Sequence, residues 1–525
     1  MTPSQSRSRS RRTPSHTAVR VAHAVLGGLV AASWLILPPA RAGADDPAAV
    51  ARSAGATAAP AAAPQDGTAT GDLVPPLVAV GAAGALAAYA YTRRRRRATT
   101  RTTPGGDPEV VPLHELDRRA RQLLVEIDDC VRVCAEELSL AADRSAGDAI
   151  EPFVYDLRHA EAELAAAFRL LQRLDEAEAS GAIPAEDDTR EILEEIVARC
   201  QDAGRRLDEA APGFDQIRAL ERNAVAAVES AEFRFREVAA RTPAAEATIA
   251  DLHKRYASAT SLPVVGDAEQ AKDRLVFATF HLNQARQYAD RGDGAKAAAH
   301  LRAAEGALGQ AADLVNGVDR LAGELASAAA ELPRALAAVE AVREAARRLP
   351  PDRSAGLVGQ LGHTEAVLSR VRHERAAGPH DPLDALRRVM EAAAGLAEAA
   401  GGDVPDGRAL ALLPARSALA GASCFIGTHR GVVGSEARTR LAEAERLLGP
   451  GAAGLSDVRR ADNLAREARR LAERDVRAYG NPAGGRGGAG AGGAVLGGIL
   501  LSDGEGGPMS YGGPRTGGRR AASLT

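Results

Sequence analysis

The chain has 525 residues, a formal net charge of −3 and an aromatic content of only 3%. The near-neutral charge does not indicate a nucleic-acid partner, and a globular enzyme of this length normally uses more aromatic surface in its core. Ala, Leu, Arg and Glu dominate instead, which is typical of long helices and coiled coils. Four cysteines do not make a disulfide framework.

The first 42 residues have the three parts of a bacterial secretory signal. Basic residues up to Arg20 precede an apolar stretch at 24–37, and Ala40-Arg41-Ala42 matches the small-x-small cleavage pattern. Residues 43–72 are rich in Ala, Pro, Gly and Thr and have no hydrophobic periodicity. This composition predicts a disordered extracytoplasmic linker.

Residues 73–92 carry no charge and predict a transmembrane helix. At ~1.5 Å per residue they reach roughly 30 Å, the thickness of a hydrocarbon core. Tyr89 and Tyr91 lie at the end of this stretch, and the arginines at 93–97 open a basic juxtamembrane linker, residues 93–108. By the positive-inside rule this end is cytoplasmic. The sequence therefore predicts a single-pass protein of the cell membrane, with its N-terminus extracytoplasmic after signal cleavage. The alternative is an Ala/Gly-rich buried helix beside a solvated arginine run.

Residues 109–480 predict a cytoplasmic helical coiled-coil domain. A 3-4 spacing of apolar residues is clear in the first helix, at Leu113, Leu116, Ala120, Leu123, Ile127, Cys130 and Cys134. A sustained 3.5-residue repeat favours left-handed supercoiling. The predicted fold class is all-α: a single transmembrane helix followed by an antiparallel coiled-coil or helical-hairpin bundle. Residues 481–525 are rich in Gly and predict a disordered tail.

Glycine and proline divide the helical region. We expect breaks at residues 147, 181–184, 211–213, 242–243, 262–266, 292–294, 350–351, 378–379, 401–405 and 449–454. Asp381 before Pro382 predicts an N-cap, Asp267 with Gln270 predicts a capping box, and Thr242 predicts another cap. Pro333 predicts a kink or a new helix start.

No motif predicts a catalytic, cofactor-binding or metal site, and no cofactor or small-molecule substrate is indicated. Cys130 and Cys134 lie one helical turn apart and would make half a metal site, but both fall on the apolar seam, which favours core packing. His363, His373 and His380 lack metal-ligand spacing and predict solvated positions. Phosphate-loop, dinucleotide and GxSxG patterns are also missing from the sequence.

Residues 70–482 resemble the C-terminal part of the actinobacterial TPM-domain membrane proteins. The resemblance is carried by the span with its arginine run and by PLHELDRRARQLLVEIDD at 112–129, PVVGDAEQAKDRLVFAT at 263–279, HDPLDALRR at 380–388, THRGVVGSEARTRLAEAERL at 428–447 and AERDVRAYGNP at 472–482. It implies a signal peptide, an extracytoplasmic α/β TPM domain, one span and a cytoplasmic helical region. Some members of the wider family are described as phosphatases.

This chain departs from that pattern where the TPM domain would lie. Residues 44–55 look like its start, but the chain then passes into the linker and the predicted span. We therefore expect a non-enzymatic protein with a structural or protein-interaction role, with the bilayer and a protein, or another copy bound through coiled coils, as partners. The alternatives are an accessory or remnant subunit of a TPM-domain, phosphatase-like protein, and a gene-model error.

The predicted topology gives a first test. Because the arginines at 93–97 are costly to translocate, a C-terminal alkaline-phosphatase fusion should be inactive and a C-terminal green fluorescent fusion should be bright. Active phosphatase at that end would overturn the topology.

Overall fold

The computed structural model describes residues 111–142, 147–182, 184–350, 355–449, 454–479 and 510–516. These residues belong to one unit, Asp107–Thr525. The predicted signal peptide, linkers and span, and most of the Gly-rich tail, lie outside the described residues. Every regular element within them is helical and none is a strand, which confirms the all-α expectation for this part of the chain.

The described residues form twelve α-helices and two short 3-10 turns. The α-helices are α1 (Leu113–Ala142), α2 (Gly147–Ser180), α3 (Glu186–Arg218), α4 (Ala224–Arg255), α5 (Ser258–Ser261), α6 (Asp267–Asp290), α7 (Gly294–Arg347), α8 (Val358–Ala377), α9 (Pro382–Ala400), α10 (Gly407–Thr428), α11 (Ser435–Leu448) and α12 (Leu455–Tyr479). The 3-10 turns are Leu262–Val264 and Ala355–Leu357.

Several helix ends follow the sequence signals. Gly181, Gly292 and Gly401 have φ values of 74°, 79° and 70°, the left-handed conformation that ends helices and that glycine adopts without strain. The Asp381 side chain accepts a hydrogen bond from the N–H of Asp384 at 3.0 Å, and Pro382 takes the first helical position. The N-cap predicted there is confirmed.

Several predicted breaks and caps are wrong. The breaks at 211–213 and 242–243 and the cap at Thr242 fall inside α3 and α4. Pro333 lies inside the continuous helix α7, so a new helix does not start there, and the kink stays a prediction. The N-cap of α6 is Gly266, without a side-chain cap, so Asp267 and Gln270 form no capping box. Packing explains the continuity, because the residues beside the prolines are buried, and tertiary burial overrides local propensity. These buried neighbours are Ala211, Phe214, Thr242, Leu332 and Ala335.

The helices pack in three groups. Helices α1, α2 and α3 pack together around their own core. The second group is built on the long helix α7, which contacts α4, α6, α9 and α10. Helix α10 also packs with α11 and α12, and these three form the third group. Helix α11 also packs against α2 and α1, which connects the third group to the first. Burying each large aliphatic side chain contributes about 1.5–3 kcal/mol. The core of the first group contains Leu124, Ile127, Leu171, Leu193, Ile196 and Leu207.

Helix α10 is long and apolar enough to cross a membrane by length and composition. It has 22 residues, a mean hydropathy of 1.5 in its most apolar window, and 39% of that window is buried. It packs against α7, α9, α11 and α12, and a core helix of a soluble bundle has the same composition. The stretch differs from the predicted span at 73–92, which lies outside the described residues.

A buried ion triad joins the first group to α7. The Arg218 guanidinium donates to Glu137 on α1 at 2.9 Å and to Glu305 on α7 at 2.5 Å. The three side chains are only 2%, 7% and 3% exposed. Removing charges from water is costly, so a buried pair adds little net stability, but losing the shared cation weakens the compensation of two buried carboxylates. Arg302 also approaches Glu137, at 3.5 Å.

Replacing Arg218 should therefore be severe. Arg218→Met leaves Glu137 and Glu305 buried without this cation, and we expect a loss of about 3–5 kcal/mol in the free energy of unfolding. The control is Arg241→Met, because Arg241 pairs with Asp319 at 2.9 Å with both side chains substantially exposed; we expect at most about 1 kcal/mol there. Urea melts followed by circular dichroism measure both, and equal losses would contradict the role of the triad.

Candidate functional site

A groove on the α1–α3 bundle is floored by helix glycines. A glycine inside a helix costs about 1 kcal/mol relative to alanine, so its presence at two positions of α3 needs a reason in the packing. A Cβ at Gly204 would lie 3.0 Å from Pro514 Cδ and 2.9 Å from Ile127 Cδ1. A Cβ at Gly213 would lie 3.3 Å from Phe153 Cζ. The two glycines thus let other groups approach the α3 backbone closely.

The groove is occupied by residues 510–516, the tail segment, with Tyr511 as its anchor. The Tyr511 side chain is completely buried. Its ring stacks on Phe214, with centroids 4.2 Å apart, and meets the edge of Phe153 at 5.9 Å. The Tyr511 hydroxyl donates to the carbonyl oxygen of Phe153 at 3.2 Å. Stacked and edge-to-face pairs of this kind contribute about 0.5–1.5 kcal/mol each beyond the buried area.

The backbone of the tail segment is held where only glycine fits. The Gly512 N–H donates to Cys134 Sγ at 3.3 Å, and the Cys134 thiol lies 3.6 Å from the Gly512 carbonyl oxygen. Gly512 has a φ of 145°, which L side chains rarely adopt. A Cβ on Gly513 would lie 2.1 Å from the carbonyl oxygen of Gly204. The groove therefore selects two consecutive glycines after the tyrosine.

Asp208 on α3 binds the end of the tail segment. Its carboxylate accepts from the Thr516 N–H at 2.7 Å, from the Arg515 N–H at 3.3 Å and from Arg515 Nε at 3.2 Å. The Thr516 hydroxyl also donates to Asp208. The Asp208 side chain is only 6% exposed. Hydrogen bonds to an ionised group are the stronger ones, so this carboxylate fixes the register of the segment.

Burial sets the protonation of the groove. It raises the pKa of Cys134 to about 12, and the hydrogen bond from Gly512 offsets only part of that rise. Burial also raises the pKa of the Tyr511 hydroxyl. Both groups are thus neutral at physiological pH, and the thiol donates and accepts weak hydrogen bonds. A protonated buried thiol is a poor nucleophile, so the groove is suited to binding.

The sequence predicts core packing for the cysteines and solvated positions for the histidines, and the structure agrees for most of them. Cys130 and Cys134 are buried in the core of the first group, although Leu124 rather than Leu123 is the fully buried leucine of the seam. Cys200 is also buried, and His363 and His373 are exposed as predicted, whereas His380 is half-buried. Among the described residues, no group of three His, Cys, Asp or Glu could hold a metal ion.

The tail segment differs from the disorder predicted across residues 481–525, and sequence reasoning missed the groove. A signal was present, because Tyr511 is the sole aromatic residue between positions 480 and 525. An apolar anchor in an otherwise Gly-rich stretch indicates a binding motif. The helix glycines Gly204 and Gly213 were a second signal, since a glycine inside a helix suggests a packing role.

Two further cavities flank α10, with volumes of about 730 and 580 Å³. Both are lined by Arg320 and Cys424, and both carry arginines and carboxylates together. In the smaller cavity, burial raises the pKa of Asp267 to about 6, against the opposing effect of Arg469 and other arginines. Mixed charge of this kind does not define one ligand, whereas the groove has a defined occupant.

Comparison with known proteins finds two similar sequences, the UPF0603 proteins of two Mycobacterium tuberculosis strains. Each is 30% identical over 435 residues, which cover 77% of this chain. The chain spans 65% of the length of these relatives. No protein-family model matches the chain, and no solved structure matches it. The relatives agree with the actinobacterial resemblance of the sequence, and the TPM part of that resemblance stays a prediction.

Removal of the anchor ring should undock the tail segment. Without Tyr511 the Phe153 and Phe214 rings lose their partner, so we expect Tyr511→Ala to raise the rate of tryptic cleavage after Arg515 at least tenfold, on the order of 1.4 kcal/mol or more of lost docking. The matched control is Tyr155→Ala, because Tyr155 is 65% exposed and its loss should leave that rate unchanged. Equal cleavage of Tyr511→Ala and the wild type would contradict the docking.

Proposed function

We propose that this chain is a non-enzymatic single-pass membrane protein whose cytoplasmic helical region binds protein segments in the groove of α1–α3. The observation that carries the proposal is the tail segment itself. It is a short peptide held by a buried tyrosine, two tightly fitted glycines and a carboxylate clamp. This combination of an anchor side chain and backbone contacts is how peptide-recognition sites obtain affinity and selectivity.

The chemistry of the groove supports a binding role. The aromatic and polar side chains that bind the tail segment are two phenylalanine rings, a protonated thiol and one carboxylate. Each has a partner in the peptide, and each partner is specific: a ring for the rings, a glycine backbone for the thiol, and N–H groups for Asp208. These side chains together make the groove complementary to a Tyr-Gly-Gly-Pro-Arg-Thr sequence.

The membrane part of the proposal rests on the sequence. The uncharged stretch at 73–92 and the arginines at 93–97 have the length and the charge asymmetry of an inserted helix. Helix α1, which carries Cys134, begins at Leu113, a short way along the chain. A span at 73–92 would thus tether the interaction domain to the cytoplasmic face of the cell membrane.

Binding of the segment as a free peptide tests the proposal. A chain ending at Met509 lacks residues 510–525, and we expect it to bind a fluorescent SYGGPRT peptide saturably in anisotropy titrations. A matched peptide with alanine in place of Gly513 should bind at least tenfold more weakly, because its Cβ would clash with the Gly204 carbonyl oxygen. Failure to bind, or equal binding of both peptides, would contradict the proposed function.

A further inference from the structure

We infer that the groove of one molecule also binds the tail segment of a second copy, so that neighbouring molecules exchange tails. The inference rests on the proposed function of the groove and names its partner. The tail segment and the groove are complementary surfaces present on every copy. An element that packs on its own domain can pack in the same way on an identical domain, a low-cost route to association.

The contacts of residues 511–516 with the groove do not depend on the connection of the segment to the same chain. Tyr511 contacts Phe153 on α2 and Phe214 on α3, and Gly512 contacts Cys134 on α1. Arg515 and Thr516 donate hydrogen bonds to Asp208 on α3. All of these partners lie more than 290 residues from the segment in sequence. A tail segment from a second copy would make the same contacts at the same distances.

The length of the intervening chain permits the exchange. Helix α12 ends at Tyr479 and the tail segment begins at Ser510. The sequence between them, residues 480–509, spans at most roughly 100 Å when extended. A domain covering residues 111–479 has a radius of gyration of about 21 Å by the usual scaling with chain length. The reach exceeds the diameter of the domain, so a neighbouring groove is accessible.

Effective concentration decides whether the tail segment binds the groove of its own chain or that of a neighbouring copy. With identical contacts, binding within a chain and between chains differs only in effective concentration, which a tether of this length sets in the millimolar range or below. The proposed span would confine all copies to one surface and raise the concentration of neighbouring grooves. Because groove and tail are different surfaces, exchange joins molecules reciprocally into pairs or head to tail into chains.

A complementation experiment tests the exchange. The first variant, ending at Met509, keeps the groove and lacks the tail segment. The second keeps the tail segment and carries Asp208→Arg, which removes the acceptor of Thr516 and places a positive charge beside Arg515. Gly204→Ala, which closes the floor below Pro514, serves as an independent groove-blocked variant. Circular dichroism of each variant checks its helical content.

Both variants, each beginning at residue 1, are reconstituted in liposomes with a donor dye on the tail-less chain and an acceptor dye on the groove-blocked chain. We expect energy transfer between the complementary pair, and its loss on addition of excess SYGGPRT peptide. The control is a chain that both ends at Met509 and carries Asp208→Arg. In place of either labelled variant, it should give only the energy transfer expected for random proximity.

The outcomes separate the two proposals. The complementary pair can be made with either groove-blocked variant. If both pairs give only the energy transfer of the random-proximity control while the labelled peptide still binds the tail-less chain, the exchange is overturned. If the peptide does not bind the tail-less chain, the proposed function fails, and the exchange fails with it. Transfer that excess peptide does not reduce would also overturn the exchange, because the association would then use another surface.

Discussion

The buried guanidinium of Arg218 is the contact on which the arrangement of the first helix group depends. It holds α1 through Glu137 and α7 through Glu305. Glu137 lies three residues after Cys134, and Arg218 lies four residues after Phe214, so the α1 and α3 contacts around Tyr511 and Gly512 are about one helical turn from the triad. An ion pair of this kind adds little net stability, but removing one partner is strongly destabilising. The triad therefore joins α1 to α3 beside the end of the groove that holds Tyr511.

The groove works through close approach more than through area. Gly204 and Gly213 each lower the helix propensity of α3 by about 1 kcal/mol relative to alanine, and the packing they allow offsets that cost. The Gly513 backbone and the Gly204 carbonyl approach so closely that no side chain fits between them. Tyr511 supplies the buried apolar surface, and Asp208 sets the register. A small site can thus be selective, because each of its few contacts rejects a bulkier or uncharged alternative.

Sequence reasoning predicted the helices well because their signals are local. The apolar spacing of α1, the left-handed glycines and the Asp381 cap need only a few neighbouring residues. The breaks expected at 211–213 and 242–243 and the helix start expected at Pro333 were wrong because packing against other helices keeps those helices continuous. The groove was not predictable in the same way, since it brings Gly204 next to Pro514, more than 300 residues later. Composition described the tail as a whole and did not reveal the motif around Tyr511.

Hydrogen–deuterium exchange of the full chain tests the central claim most directly. The N–H groups of Gly512 and Thr516 are bonded to Cys134 and Asp208, and amides in such bonds exchange only when the segment opens. The account predicts protection of the fragment that contains residues 510–516, and loss of that protection in Asp208→Ala. Exchange of that fragment in the wild type at the rate of an unstructured peptide would contradict the account.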